Sequence, residues 1–525
     1  MKKLSELTLD QKIGQVLCFG YPGADPEKGM KELLRDTHMG GIIIFARNLK
    51  DCDSLRQTLM EVQEEAIRQD GAPLLIGIDQ EGGLVTRLYK GATFFPGAMS
   101  TAAAGKVEYA YEIGKAMGAE MLALGINFNF SPVLDINTNP DNPIIGTRAY
   151  GDTREQVTVY ASAYTKGLQE TVIATGKHFP GHGDTHQDSH LTLPKVDHPR
   201  ERLDNEELYP FRQLVKEGIK AIMTTHIVFP AYDPSGLPAT ISEPILTGLL
   251  RKDMGFEGII ITDCMEMKAI SDFYGTAEAV KMALNAGADM ILVCHTRAVM
   301  LDCIAKLKEA CLADPALMAK LDRAVERLLK YKGEIPATSD EATYRKVVGC
   351  EAHKELAAKV SRESMTVYKG KCPIYKAEDK FTAVFFGSRP LTGVEDSDVR
   401  SILERRFREE YKNAEIYSLP VNPSAEAAAD LLTKIKPQDK ILIFSYNAAL
   451  AEAQGKLIKQ ILDINPEAAV ISTRAPYDVR KFPDIKNYII AYEQTPIATE
   501  TIFKMLRGEF VPTGKAPVDL LKGMN

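Results

Sequence analysis

One segment concentrates the chemistry-bearing side chains. Lys177-His178-Phe179-Pro180-Gly181-His182-Gly183-Asp184-Thr185-His186-Gln187-Asp188-Ser189-His190 holds four of the nine histidines. They recur every four residues, a spacing that would align metal ligands on one helix face. Pro180, Gly181 and Gly183 fall where such a helix would have to be continuous, and they break it. A loop could still gather the histidines around zinc. The favoured reading is a strand end at Thr175–His178 flowing into a glycine-rich loop, with no metal. Within that loop Asp188 stands two residues from His190. A carboxylate that accepts the Nδ1 proton of an imidazole fixes its tautomer and raises its basicity. Such a pair is a competent general acid/base near neutral pH.

Three further clusters carry carboxylates or cations. In Gly255-Phe256-Glu257-Gly258-Ile259-Ile260-Ile261-Thr262-Asp263-Cys264-Met265-Glu266-Met267 an apolar run ends in Asp263. An Asp in that place is either a helix N-cap or a nucleophile at a strand end. Glu266 is a reserve carboxylate. Ile78-Asp79-Gln80-Glu81-Gly82-Gly83 is followed by Arg87, and Asp79 again ends a strand. The proline-punctuated loop from Asn139 to Gly151 delivers Arg148, and an arginine on a constrained loop is a candidate ligand contact.

These residues need elements to carry them. The first two thirds of the chain alternate apolar runs with amphipathic helical patterns. Strands are predicted at Val16–Gly20, Gly41–Phe45, Leu74–Asp79, Phe128–Asp135, Ile173–His178, Ala221–Val228, Ile259–Cys264 and Asp289–His295. Their Val/Ile/Leu content suits strands buried on both faces. Helical patterns such as Leu55–Arg68, Glu108–Ala123 and Arg154–Thr171 lie between them. Eight β/α units in about 330 residues fit a TIM-type (β/α)8 barrel, with a doubly wound open sheet as the alternative. Asp79, His178, His226, Asp263 and His295 all fall near carboxyl ends of strands, the face on which such a barrel carries its active site.

The remainder has a different rhythm. A helix is expected over Pro315–Lys332, with Asp314 as N-cap and Pro315 at its first position. A polar break follows, and a helix resumes around Glu351–Ser364. Short strands at Thr382–Phe386, Glu415–Ser418, Ile441–Ser445, Ala469–Ser472 and Tyr488–Tyr492 then alternate with helices such as Ala425–Lys434 and Ala449–Ile464. The expected organisation is a catalytic barrel over 1–335, a linker over 336–350 and an α/β sandwich over 351–525.

Composition narrows the function classes. The 525 residues are 45% hydrophobic and 26% charged, with 64 basic and 71 acidic side chains and a net charge of −7. This is globular composition, too long for one core. The balance is acidic and no basic stripe occurs, so no nucleic-acid partner is expected. No long uncharged apolar run is present, so no membrane span is expected. The eight cysteines are scattered without a CxxC pair, which predicts free thiols and cytoplasmic residence. The start MKKLSELTLDQKIGQ has no apolar run of a secretory signal.

Four motifs together resemble glycoside hydrolase family 3, in its bacterial β-N-acetylglucosaminidase branch: IDQEGG with Arg87, NPIIGTRAYG, KHFPGHGDTHQDSH and GFEGIIITDCMEM. They occur in the family's order and cover Met1 to about Lys332. The resemblance implies that Asp263 is the nucleophile, and that His190, oriented by Asp188, is the general acid/base. It implies that Asp79, Arg87, Arg148, Lys177 and His178 bind sugar hydroxyls in the −1 subsite. Other branches of the family take a glutamate from the second domain as acid/base; the Asp-Ser-His triplet stands in for it. Thr262 and His186 depart from the family pattern. The implied activity is retaining exo-hydrolysis of terminal β-linked GlcNAc from muropeptides or chitin oligosaccharides, as in cell-wall recycling. Phosphorolysis of the same glycosides is the alternative, and β-glucosidase activity a lesser one. The expected partner is a small carbohydrate, without a cofactor, and the expected state a monomer or weak homo-oligomer. Chelator-sensitive hydrolysis through the histidine loop and non-catalytic sugar binding are the competing classes.

Overall fold

A computed structural model describes residues 1–24, 29–185, 193–336, 338–387 and 402–524. Eight short strands, β1 (Leu17–Phe19), β2 (Gly41–Ile44), β3 (Leu75–Ile78), β4 (Phe128–Asn129), β5 (Ile173–Phe179), β6 (Ala221–Thr224), β7 (Ile259–Ile261) and β8 (Ile291–Val293), are buried along their whole length. That is why their sequences read as apolar runs rather than alternations. They pair in parallel in the order β7-β6-β5-β4-β3-β2-β1-β8. A parallel bridge between Ile261 and Met290 brings β7 against β8 and closes the ring. The result is the (β/α)8 barrel expected from the sequence, not an open sheet.

Helices Cys52–Asp70, Val107–Leu124 and Arg154–Leu168 sit on the outside, each with an apolar face on the strands. Thr153 caps the last of these through Gln156 N, and Asp51 caps the first through Ser54 N. Helix Pro315–Gly333 starts as its sequence predicts: the Asp314 carboxylate accepts from Ala316 N at 2.8 Å.

The second sheet runs β11 (Glu415–Leu419), β10 (Thr382–Phe386), β12 (Ile441–Ser445), β13 (Ala469–Ser472), β14 (Asn487–Ile490), β9 (Thr366–Lys369). All pairs are parallel except β14–β9. Separate apolar clusters cover its two faces, which makes it an α/β sandwich. One cluster takes in Met99 and Ala103 of the barrel side, and helix Glu351–Ser364 lends Ala357 and Val360 to the barrel core. No helix among the described residues is long and apolar enough to cross a membrane.

Candidate active site

A cavity of about 430 Å³ opens at the carboxyl ends of the barrel strands, within the ~300–1,000 Å³ of small-molecule sites. Asp79, Arg87, Arg148, Lys177, His178 and Asp263 all line it. Asp188 and His190, the expected acid/base pair, lie outside the described residues, as does His186.

Most of these side chains are delivered by strand ends and the two arginines by loops. Asp79 follows β3 directly, and Asp263 follows β7 by two residues. Lys177 and His178 are neighbours in β5, where a regular strand would send them to opposite faces. The pairing of β5 with β6 shifts register between Gly176 and Phe179, and this irregularity lets both reach the cavity. Arg148 comes from a single 3-10 turn, Gly146–Arg148, after β4. That loop is pinned by Asn142. Its side-chain oxygen accepts from Ile144 N and Ile145 N at 2.8 and 3.0 Å, and its amide donates to His182 O at 2.9 Å. The histidine segment crosses the chain closely there. A Cβ on Gly183 would stand 1.7 Å from the Ile136 carbonyl oxygen, so only glycine fits.

The cavity wall is a row of alternating charges. Lys177 Nζ donates to Asp79 Oδ1 and to Glu81 Oε1, each at 2.7 Å. Glu81 also accepts both Arg148 Nε at 2.9 Å and Nη2 at 2.8 Å, the bidentate geometry of a guanidinium fork. Arg148 Nη2 approaches His178 Nε2 at 3.5 Å, and His178 Nδ1 lies 2.7 Å from Asp135 Oδ2. Asp135 therefore assigns the proton to Nδ1 and leaves Nε2 as the acceptor facing Arg148. Burial works against the Glu81 carboxylate, but Arg148 and Lys177 overcome it and hold its pKa well below the usual range. Burial likewise opposes the Lys177 charge, and Asp79 and Glu81 raise its pKa in spite of it. His182 Nδ1 lies 2.9 Å from Thr185 Oγ1, and burial, then the neighbouring His178, push its pKa down to about 4 against the pull of Asp135. The row presents fixed donors and acceptors of both signs, the set that a polyhydroxylated ring needs.

Residues near the nucleophile candidate have structural duties. Asp263 Oδ1 accepts from Cys264 N at 2.7 Å. Thr262 Oγ1 accepts from Leu292 N at 3.0 Å and stitches the β7 end to β8. Glu266, the reserve carboxylate, accepts from His295 N at 2.6 Å and Thr296 N at 3.0 Å. It thereby caps the start of helix Arg297–Ala313. His226, another strand-end histidine, is buried and absent from the cavity lining. Its ring bridges Thr240 Oγ1 at 2.8 Å and the Cys264 carbonyl at 2.9 Å. Sequence reasoning did not single out Asp135, Arg47, Cys294 or the pivotal place of Glu81. Their roles depend on pairings across strands, which no spacing along the chain signals.

Among the described residues, one group of three could hold a metal ion: Asp184, His198 and Glu207, none of which lines the cavity. Arg202 already brings a positive charge there, 2.7 Å from Asp184 and 3.4 Å from Glu207.

The chain matches the pattern of the glycosyl hydrolase family 3 N terminal domain over residues 8–331. It is similar to the solved structure of a glycoside hydrolase family 3 β-N-acetylglucosaminidase from Paenibacillus sp. str. FPU-7. The TM-score is 0.88 at 38% identity, over 98% of this chain and 99% of that one. It is also similar to β-hexosaminidase A of Pseudoalteromonas piscicida, 29% identical over 92% of this chain and 90% of the relative. A β-N-acetylglucosaminidase/β-glucosidase of Cellulomonas fimi is 26% identical over 99% of this chain and 95% of its own length.

Proposed function

The chain belongs to glycosyl hydrolase family 3, and from that premise we propose that it is a retaining exo-β-N-acetylglucosaminidase. Its substrates are muropeptides or chitin oligosaccharides with a terminal β-linked GlcNAc. The observation that carries this reading is the shared cavity. Asp263 lines the same 430 Å³ space as Asp79, Arg87, Arg148, Lys177 and His178. A carboxylate for attack and a wall of hydroxyl-binding groups then meet one sugar ring.

In this reading the Asp263 carboxylate attacks the anomeric carbon while His190 protonates the departing oxygen. A glycosyl-enzyme results, and inversion at each of two steps gives overall retention. Asp188 orients the imidazole and stabilises its charged form. His190 then removes a proton from the incoming water. The charge row holds the ring: Asp79 and His178 accept from hydroxyls, and Lys177, Arg87 and Arg148 donate to them. Because Lys177 and Arg148 are already fixed by Glu81, they need little reorganisation when the sugar arrives.

The test is turnover of aryl β-GlcNAc against aryl β-glucoside, each with and without phosphate. The proposal expects preference for the GlcNAc glycoside and release of free GlcNAc whether or not phosphate is present. Preference for the glucoside would overturn the sugar assignment. Formation of a sugar 1-phosphate with little free sugar would make the enzyme a phosphorylase.

A further inference from the structure

The cavity wall beside Asp263 is built of sulfur. Cys264 follows Asp263 in the chain, and Cys294 and His295 follow β8; all three line the cavity. The two strand ends are stitched together, with Thr262 N donating to Met290 O at 3.0 Å and Met265 N to Leu292 O at 2.8 Å. Cys264, Cys294 and His295 therefore stand together at the joined ends of β7 and β8, facing one cavity. Arg47 closes the group from behind, donating through Nη2 to Cys294 O at 2.9 Å, with Nη1 3.5 Å from His295 Nδ1.

The group divides labour between its two thiols. Cys294 favours a thiolate on Cys264, burial opposes it, and the neighbouring His295 adds a second favourable influence. Burial, then the neighbouring Cys264, push the Cys294 thiol up. A thiolate beside an imidazole and open to a cavity is the setting of a reactive cysteine. Cys18, Cys52, Cys303 and Cys311 differ, because burial pushes their thiols up. Glycosyl transfer as proposed above uses neither sulfur.

We propose that Cys264 is a modification site for peroxides and soft electrophiles, and that Cys294 resolves its oxidised form as a disulfide across the cavity wall. In the first step the Cys264 sulfur attacks one peroxide oxygen and the O–O bond breaks. The departing oxygen takes up the proton that Cys264 released on becoming a thiolate and leaves as water, and Cys264 becomes a sulfenic acid. In the second step the Cys294 sulfur attacks the Cys264 sulfur, the S–O bond breaks, and the hydroxyl leaves as water with the Cys294 proton. Two thiols lose two electrons and one hydrogen peroxide becomes two waters. The new bond repositions the wall next to Asp263, so oxidation stops turnover and a dithiol restores it.

The experiment treats the full chain with a small excess of hydrogen peroxide, blocks remaining thiols and maps peptides by mass. A Cys264–Cys294 linkage is expected, with at least tenfold loss of aryl-glycoside turnover that dithiothreitol reverses. Iodoacetamide is expected to label Cys264 faster than Cys350 and Cys372, the two least buried cysteines. Each variant is compared with its own untreated rate. Cys264→Ser loses less than twofold on peroxide treatment, and Cys294→Ser accumulates a dimedone-trappable sulfenic acid at Cys264. Oxidation of Cys350 or Cys372 with Cys264 untouched would overturn the proposal. So would a linkage that leaves turnover intact, or equal inactivation of Cys264→Ser. If a variant does not fold, the wild-type peptide map decides alone. The map reads thiols, and turnover is followed on whichever glycoside the enzyme cleaves, so the result is independent of the sugar preference proposed above.

Discussion

Glu81 is the hinge of the charge row, because two buried cations depend on one carboxylate. Glu81→Gln keeps the shape and removes the charge. Leaving Lys177 and Arg148 without their shared anion should cost about 3–5 kcal/mol in urea unfolding and raise KM. The pH dependence has a definite sign. The folded pKa of Glu81 lies below its unfolded value, so its contribution is complete above about pH 4.5 and is lost as pH falls. The variant should therefore show a flatter acid limb of stability than wild type. Asp263→Ala should lower turnover by at least about 10³-fold while leaving the unfolding midpoint near wild type. A mechanism-based fluorosugar should label Asp263 in wild type; labelling of Glu266 would contradict both the assignment and its observed role as a cap. His190→Ala should cripple substrates with poor leaving groups by roughly 10²–10⁴-fold and activated aryl glycosides far less. Azide, which needs no base, should then rescue turnover on the activated substrates, and Asp188→Asn should show a milder form of the same pattern. Equal losses on both substrate types without rescue would assign the acid/base elsewhere. Asp79, Lys177, His178 and Asp263 were legible because a carboxylate or cation at the end of an apolar run is a local signal. Asp135 was not, since it stands behind His178 and only the fold brings them to 2.7 Å.

At the scale of elements, β5 and the turn after β3 do the positioning. The Gly82-Gly83 turn carries the chain on from Glu81, and the sandwich presses on it. Glu493, just beyond β14, accepts from Gly97 N at 3.1 Å, and a Cβ on Gly83 would stand 2.5 Å from its Oε2. Burial pushes the Glu493 pKa up to about 7. The folded state therefore holds a proton that the unfolded chain releases near pH 4.5, and stability falls as pH rises from about 4.5 to about 7. Glu493→Gln should remove that slope, as followed by thermal unfolding across the window; an unchanged slope would mean the group is ionised throughout. Most elements were legible. Glu351–Ser364, Ala425–Lys434 and three sandwich strands fall where their patterns predict. Apart from β5, which runs one residue past its predicted end to Phe179, the barrel strands are shorter than their apolar runs, most of all Phe128–Asn129 against a predicted Phe128–Asp135, because the chain leaves the ladder while still buried. β9 gave no signal: four residues with one fully buried position make an edge strand with little periodicity.

Across the whole molecule, the barrel and the sandwich share buried surface that the barrel alone would expose. Tyr477 Oη accepts from Asn137 Nδ2 at 2.8 Å, and Lys515 N donates to Ala103 O at 2.9 Å. His353 Nδ1 meets Glu120 at 2.7 Å, and Met99 and Ala103 pack into the sandwich core. The contacts reach the site's own supports, since Asn447, Arg474 and Ala475 border the same recess as the Arg148 turn. Both proposed catalytic groups nevertheless belong to the first 335 residues. Truncation after Gly333 should therefore separate stability from chemistry. The shortened chain should unfold at a lower temperature and tend to aggregate, because it uncovers apolar side chains and removes His353 from Glu120 and Tyr477 from Asn137. Its soluble fraction should still turn over activated aryl glycosides, with KM raised more than kcat is lowered as the Arg148 turn loosens. Thermal unfolding, sedimentation and steady-state kinetics on that fraction read the three quantities separately. A soluble, folded barrel with no turnover on activated substrates would place an indispensable catalytic group in the sandwich and remove His190 from the role proposed for it.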